Sequence, residues 1–197
     1  METWKRTVYI SLVCVFCTAF GVSQLAPILP LYFHDLGVKT PEAMSLWSGL
    51  ATGATYIIVC LAAPFWGRVA DKKGRKITLI RSSFGMALCN ILIAFQTTPE
   101  GVVLIRLIQG LVSGFYSASI TLIASESPIE RTGWALGLLA SANLAGSLIG
   151  PLLGGYIADT VSIRNDFIIV GALMGLAGVL ATIFIHENYV PQPNPEK

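Results

Sequence analysis

Arg106 lies inside a long apolar run. An Arg at the centre of a membrane-spanning helix costs about 2.5 to 3.5 kcal/mol even on the most lenient insertion scale, so it requires a wet or polar neighbourhood. Gln109, Ser113, Ser117 and Thr121 follow it at three- and four-residue steps, which puts all five side chains on one helical face. Leu104, Leu107, Ile108, Leu111, Val112 and Phe115 take the other faces. A polar stripe running the depth of a span reads as the wall of a water-filled cavity, in preference to Ser and Thr used only for helix packing. Arg81 lies one turn into another apolar run; it either snorkels to the membrane surface or has a role of its own.

Other chemistries fail on spacing. A membrane Ser protease needs G-x-S-G and a His within a second span, but Gly110-Leu111-Val112-Ser113-Gly114 has the wrong spacing, and His34 and His186 stand at the edges of apolar runs. Asp71 has no acidic companion of the kind a lipid-head transferase uses. Cys14 and Cys17 have C-x-x-C spacing but share one apolar run with no second pair, and Cys60 and Cys89 stand alone. All four read as small apolar residues rather than redox or metal ligands. No enzyme activity, cofactor or metal is expected.

Two further segments carry a pattern. Gly67-Arg68-Val69-Ala70-Asp71-Lys72-Lys73-Gly74-Arg75-Lys76 is a tight, strongly basic hairpin, in which Gly67 permits close helix approach and Gly74 a turn that other residues resist. A plain positive loop explains the cations but not Asp71, three residues before Gly74. Gly146, Gly150 and Gly154 fall four residues apart around Pro151, with Gly155 following. Small residues at this spacing can pack two helices together, but a Pro between them favours a bendable hinge. Pro64 to Asp71 and Pro151 to Asp159 also echo each other weakly, as corresponding helices of two inverted repeats would.

The elements that must position these residues follow from composition. Of 197 residues, 54% are hydrophobic and 12% charged, with a mean hydropathy of +0.69; a soluble domain carries roughly a quarter charged residues. Six apolar stretches are expected to span a membrane: 8–33, 45–67, 77–96, 102–124, 134–158 and 167–185. Short links make them antiparallel neighbours. With both termini inside, Lys5, Arg6, Arg68, Lys72, Lys73, Arg75, Lys76, Arg131 and Lys197 are cytoplasmic and only Lys39 and Arg164 are outside, the bias expected of short loops. The first run carries Gln24, Pro27 and Pro30 and extends about 25 residues, too far for a cleaved signal core. The small net charge of +2 gives no reason to expect nucleic acid.

Together these segments resemble the signatures of the major facilitator superfamily, in its drug:proton antiporter branch. Gly67, Asp71, Lys72, Gly74, Arg75 and Lys76 match the loop signature G-x-x-x-D-[RK]-x-G-[RK]-[RK]; Arg106, Gln109 and Gly110 match the fourth-span signature; and Gly146, Gly150, Pro151, Gly154 and Gly155 match G-x-x-x-G-P-x-x-G-G. Pro27-Ile28-Leu29-Pro30-Leu31-Tyr32, with the run from Trp47 to Trp66, looks like the bacterial multidrug and sugar efflux members.

The resemblance implies an all-α, polytopic membrane protein, six helices forming two inverted three-helix repeats, equivalent to the N-terminal half of a twelve-span fold. It implies a plasma (inner) membrane location and export of small lipophilic, often cationic, compounds in exchange for protons by alternating access. The loop would latch against a partner half, Arg106 would take part in proton coupling, and the span-five glycines would form a hinge. Phe20, Gln24, Tyr56, Arg106, Gln109, Tyr116 and Asn143 would line the substrate cavity. No carboxylate is expected within the six spans, so the proton-titrating group is either Asp35, which otherwise is a solvated residue, or an acid of a second half. Residues 186–197, with Pro191, Pro193 and Pro195, look like a cytoplasmic tail or the start of a linker. The partners would be lipid, substrate, protons, and either a second six-span half or a second copy of this chain. The alternatives are a truncated, inactive remnant or a small homo-oligomeric carrier of other solutes such as sugars.

Overall fold

Thr40-Pro41-Glu42 and Thr98-Pro99-Glu100 open two helices by the same chemistry. Each Thr hydroxyl accepts from a backbone N–H three residues on, Ala43 N at 3.3 Å and Gly101 N at 3.2 Å. Pro then takes the first helical position, where no N–H is needed, and Glu faces the positive end of the helix. Ser162 caps a third helix by accepting from Asn165 N at 3.2 Å.

The computed structural model describes residues 3–187. Among them are eight α-helices: α1 (Thr3–Ser23), α2 (Leu25–Asp35), α3 (Pro41–Lys73), α4 (Arg75–Ala94), α5 (Pro99–Val112), α6 (Phe115–Glu126), α7 (Thr132–Thr160) and α8 (Ile163–Phe184). They make six rods long and apolar enough to cross a membrane, since α2 continues α1 and α6 continues α5. The longest, α3, has 33 residues, about 50 Å at 1.5 Å each, and so projects beyond a 30 Å hydrocarbon layer.

The pairing of rods supports the two-repeat reading. The most extensive contacts join α1 to α7, α3 to α5, and α4 to α8. Exchanging the first three rods with the last three leaves this pattern unchanged, as repeats related by a two-fold axis require. The equivalence extends to detail. In each repeat the first rod is the broken one, and a side-chain hydroxyl crosses from one rod to a carbonyl of its pair: Ser23 Oγ to Gly146 O at 3.3 Å, and Thr55 Oγ1 to Arg106 O at 3.0 Å.

Glycines set how closely the pairs approach. A Cβ on Gly146 would lie 2.5 Å from Phe16 O, one on Gly150 2.5 Å from Phe20 O, and one on Gly110 2.5 Å from Thr55 O. These are backbone atoms that cannot yield, so the two signatures on α5 and α7 are close-packing surfaces within the chain. Despite Pro151, α7 is one continuous helix. Three apolar clusters stack along the bundle. One, around Val15, Leu122 and Leu139, lies toward the end carrying both described termini; one, around Tyr32, Ile93 and Phe167, lies at the opposite end; and between them Phe20 of α1, Met86 of α4 and Met174 of α8 join the first, third and sixth rods.

Two expectations need correction. The first and fourth spans are not single helices. Pro27 has no N–H for the carbonyl one turn earlier, and the first rod breaks at Gln24; Ser113 turns extended and Gly114 takes φ +114°, breaking the fourth. The segment Asp159 to Asp166, expected to be a link, also ends earlier. Its Ser162 cap starts α8 at Ile163, so Asp166 falls in the first turn of the helix and is completely buried. A carboxylate therefore does lie within a span.

Gly150→Ala forces a methyl against backbone and should lower unfolding stability in mild detergent by about 1–3 kcal/mol. Gly155→Ala, with nothing within 4 Å of the new Cβ, should leave it unchanged; equal losses at both positions would contradict the packing described.

Candidate functional site

The two helix breaks stand beside a cavity of about 560 Å³ lined by residues of α1 and α2, α3, α5 and α6, and α7, together with Met86 of α4. Four of the expected lining residues meet there: Tyr56, Arg106, Tyr116 and Asn143. Ser113 and Ser117 of the polar stripe line it too, and with Thr121 they continue into a second cavity of about 270 Å³ toward the basic loop. Arg106 is the single charged residue in the wall of the larger cavity.

Phe20 and Gln24 do not line this space. Phe20 is buried among Met86, Ala87, Val170 and Met174, and Gln24 is completely buried with its amide directed at α8. Thr18, Val22, Ser23 and Ala26 form the first-span wall instead. Gln109 is likewise absent from the lining. It is held behind the wall, where Arg106 Nη1 donates to Gln109 Oε1 at 2.7 Å, one helical turn away. That bond, to a guanidinium only 5% exposed, supplies polar company for the buried cation, while Arg106 Nε has no partner.

The break in the fourth span frees carbonyls that a bilayer cannot satisfy. Trp66 Nε1 donates to Leu111 O at 2.7 Å, and Arg81 donates to Leu111 O at 3.3 Å and Ser113 O at 3.0 Å. The Arg81 guanidinium lies 3.4 Å over the Trp66 ring. Arg81 therefore turns inward to the broken helix rather than outward to the surface. Nothing in its local sequence marks this role, which depends on a break 32 residues away.

The basic signature folds into one of the tightest links in the chain: Gly74 alone, at φ +92°, joins α3 to α4. Lys72 and Lys73 occupy the last turn of α3, where cations are favoured, and Gly67, Asp71 and Arg75 line the smaller cavity. Lys76 has its backbone engaged in an unexpected cap. The Glu187 carboxylate, just past α8, accepts from Arg75 N at 2.7 Å and Lys76 N at 2.8 Å, closing the start of α4. A Cβ at position 74 would meet Glu187 Oε2 at 2.7 Å, a second reason for glycine there. Residues 188–197, including Pro191, Pro193 and Pro195, lie outside the described residues.

Acidic groups fall in two kinds of place. Asp35 ends α2 in an exposed position, 3.9 Å from His34 Nδ1, and lines neither cavity. Asp166 is its opposite: Oδ2 accepts from Gln24 Nε2 at 2.9 Å, and Oδ1 has no partner. Gly154 makes room for this pair, since a Cβ there would lie 2.6 Å from Gln24 Cβ. Sequence could have located Asp166, because Ser162 three residues before Asn165 is a helix-start pattern. Among the described residues no group of three His, Cys, Asp or Glu could hold a metal ion, and Cys14, Cys17, Cys60 and Cys89 are free thiols.

A cavity walled by corresponding rods of two inverted repeats is the architecture of a known group of carriers, and the comparisons agree. The Major Facilitator Superfamily profile matches residues 11–197. The multidrug resistance protein MdtG of Proteus mirabilis is 39% identical over 190 residues, covering 96% of this chain and 47% of that protein; MdtG of Dickeya zeae is 40% identical over 188 residues, 95% and 46%. In structure the human organic anion transporter MFSD10 superposes with a TM-score of 0.83 at 18% identity, covering 97% of this chain and 50% of that one. The POT family transporter PepTSo gives 0.79 at 16%, covering 96% and 39%. The chain thus spans about half the length of the curated relatives it matches and corresponds to the N-terminal, six-helix half of their fold. The chain belongs to the Major Facilitator Superfamily and is similar to multidrug resistance proteins.

Proposed function

We propose that this chain is the N-terminal half of a proton-coupled efflux transporter that exports small lipophilic compounds from the cytoplasm by alternating access. The observation that carries the reading is the 560 Å³ cavity walled by both repeats, whose apolar and aromatic side chains are interleaved with eight hydroxyls, the Asn143 amide and a single charge, Arg106. Such a surface binds by burial and shape rather than by a fixed set of polar contacts. Since Arg106 is the one charge in this wall, this half favours neutral or anionic lipophilic molecules, and a preference for cations would have to come from acids of a completing half.

The reading also requires a partner. In the most apolar window of α3 and of α7 only 17% of the residues are buried, and their large side chains, among them Leu50, Leu61, Phe65, Leu148 and Leu152, are exposed. These two helices flank the cavity, so a second six-span half or a second copy placed against them would close it. Gly67, Asp71, Lys72, Gly74, Arg75 and Lys76 stand at the end where such a partner would meet the basic loop, and we assign them the latch. The close-packed glycines Gly146, Gly150 and Gly154 couple motion of α7 to the break at Gln24. The distribution of Lys and Arg supports a plasma-membrane protein with the basic loop and both termini on the cytoplasmic side.

Energised inside-out vesicles carrying the chain should take up the dye Hoechst 33342, and an uncoupler should abolish the uptake. Arg106→Ala removes a charge-assisted bond of about 1.5–3 kcal/mol, so the rate should fall roughly ten- to a hundredfold. Uptake equal to that of empty vesicles would show that the chain does not transport alone, and uptake insensitive to uncoupler would contradict proton coupling. In a cysteine-free background, Lys39→Cys should react with an impermeant maleimide in intact cells and Lys72→Cys only after lysis; the reverse would contradict the orientation.

A further inference from the structure

Gln24 and Asp166 face each other across the first and sixth spans with two acceptors left over. Gln24 Nε2 donates to Asp166 Oδ2 at 2.9 Å, while Gln24 Oε1 and Asp166 Oδ1, both buried, have no hydrogen-bond partner. Both residues are 0% exposed. A buried acceptor without a donor is costly, and two in one contact need explaining.

The charged and titratable groups near this end come from every element packed there. Tyr32 of α2 donates to Ile93 O at 2.7 Å; His34 and Asp35 of α2 are exposed; Asp159 of α7 and Arg164 of α8 are exposed; and α4 offers the uncharged amide of Asn90, bonded to Met86 O. Among the described residues the Asp166 side chain forms no ion pair with any of them, and its hydrogen bond is to Gln24.

We propose that Asp166 and Gln24 are a proton-binding site. A single proton on Asp166 Oδ1 satisfies both leftover acceptors: the new O–H donates to Gln24 Oε1, and with the existing Nε2–H to Oδ2 bond it closes a cyclic acid–amide pair. Loss of the proton to water opens that pair and leaves a carboxylate holding the amide by one bond. Gln24 is the residue at which the first span breaks, its neighbour Ser23 lines the cavity, and Gly154 of the span-five signature houses its side chain. Protonation therefore acts on the joint between α1, α2 and α7. Its part in transport rests on the exporter reading above, whereas the proton site stands on this geometry alone.

Infrared difference spectra of the purified full chain, with isotope-labelled aspartate and stepped pH, test it. The wild type should show a protonated-carboxyl band that forms as pH falls and is missing in Asp166→Asn. In Gln24→Leu the band should persist at a shifted frequency, because the acid has lost its amide partner; this variant carries the test if Asp166→Asn does not fold. A titration difference identical in wild type and Asp166→Asn, or a frequency unmoved by Gln24→Leu, overturns the proposal in favour of a carboxylate that merely faces the start of α8. In vesicles, Asp166→Asn should lose at least about tenfold of the gradient-driven dye uptake, a barrier change of roughly 1.4 kcal/mol. Wild-type vesicles that take up no dye would show that the chain does not transport alone, and the spectra would still decide the proton site.

Discussion

A helix interrupted inside a bilayer exposes backbone groups that lipid cannot hydrogen-bond, so a break survives only where the protein supplies the missing partners. The first rod of each repeat is interrupted, and each interruption is met in its own way. At Ser113–Gly114 an indole and a guanidinium from the second and third spans take the freed carbonyls. At Gln24 the backbone stays helical, Gln24 N still donating to Phe20 O at 3.3 Å, while the Ser23 hydroxyl ties the joint to Gly146 O and the Gln24 side-chain amide ties it to Asp166. The cavity exists beside these breaks because that is where the backbone departs from straight packing.

The same constraint explains the sharing of roles between signatures. Glycines at 110, 146, 150 and 154 bring backbones together so closely that hydroxyls of one rod reach carbonyls of the next. The basic loop needs an extra donor-acceptor arrangement because a one-residue link leaves the first N–H groups of α4 without partners, and Glu187, distant in sequence but at the same end of the bundle, supplies it. Stability and the shape of the cavity thus rest on the same few contacts.

Much of this was legible in the residues. Hydropathy runs located six spans and the three- and four-residue steps after Arg106 located the polar wall, whereas the span-five glycines, read as a hinge because of Pro151, prove to pack directly on the backbone of the first span. What periodicity could not show was anything set by a break or by a distant rod. Phe20 and Gln24 have cavity-like types and spacing, yet Pro27 interrupts the helix and Gly154 opens a slot behind it, so both side chains turn inward. Asp166 was hidden by a boundary, since three residues of helix before it decide whether it is a loop acid or a buried one. Glu187 and Arg81 carry no local mark at all, because their partners are 112 and 32 residues away.

The wet cavity behind Arg106 is the claim from which function follows, and its most direct measurement is the rate at which a small water-soluble maleimide labels single cysteines in membranes. In a cysteine-free background, Asn143→Cys, on the cavity wall, should label rapidly, and Phe20→Cys, buried one helix face away, should resist. Equal rates at the two positions, or a resistant Asn143→Cys, would contradict a water-filled cavity between the repeats.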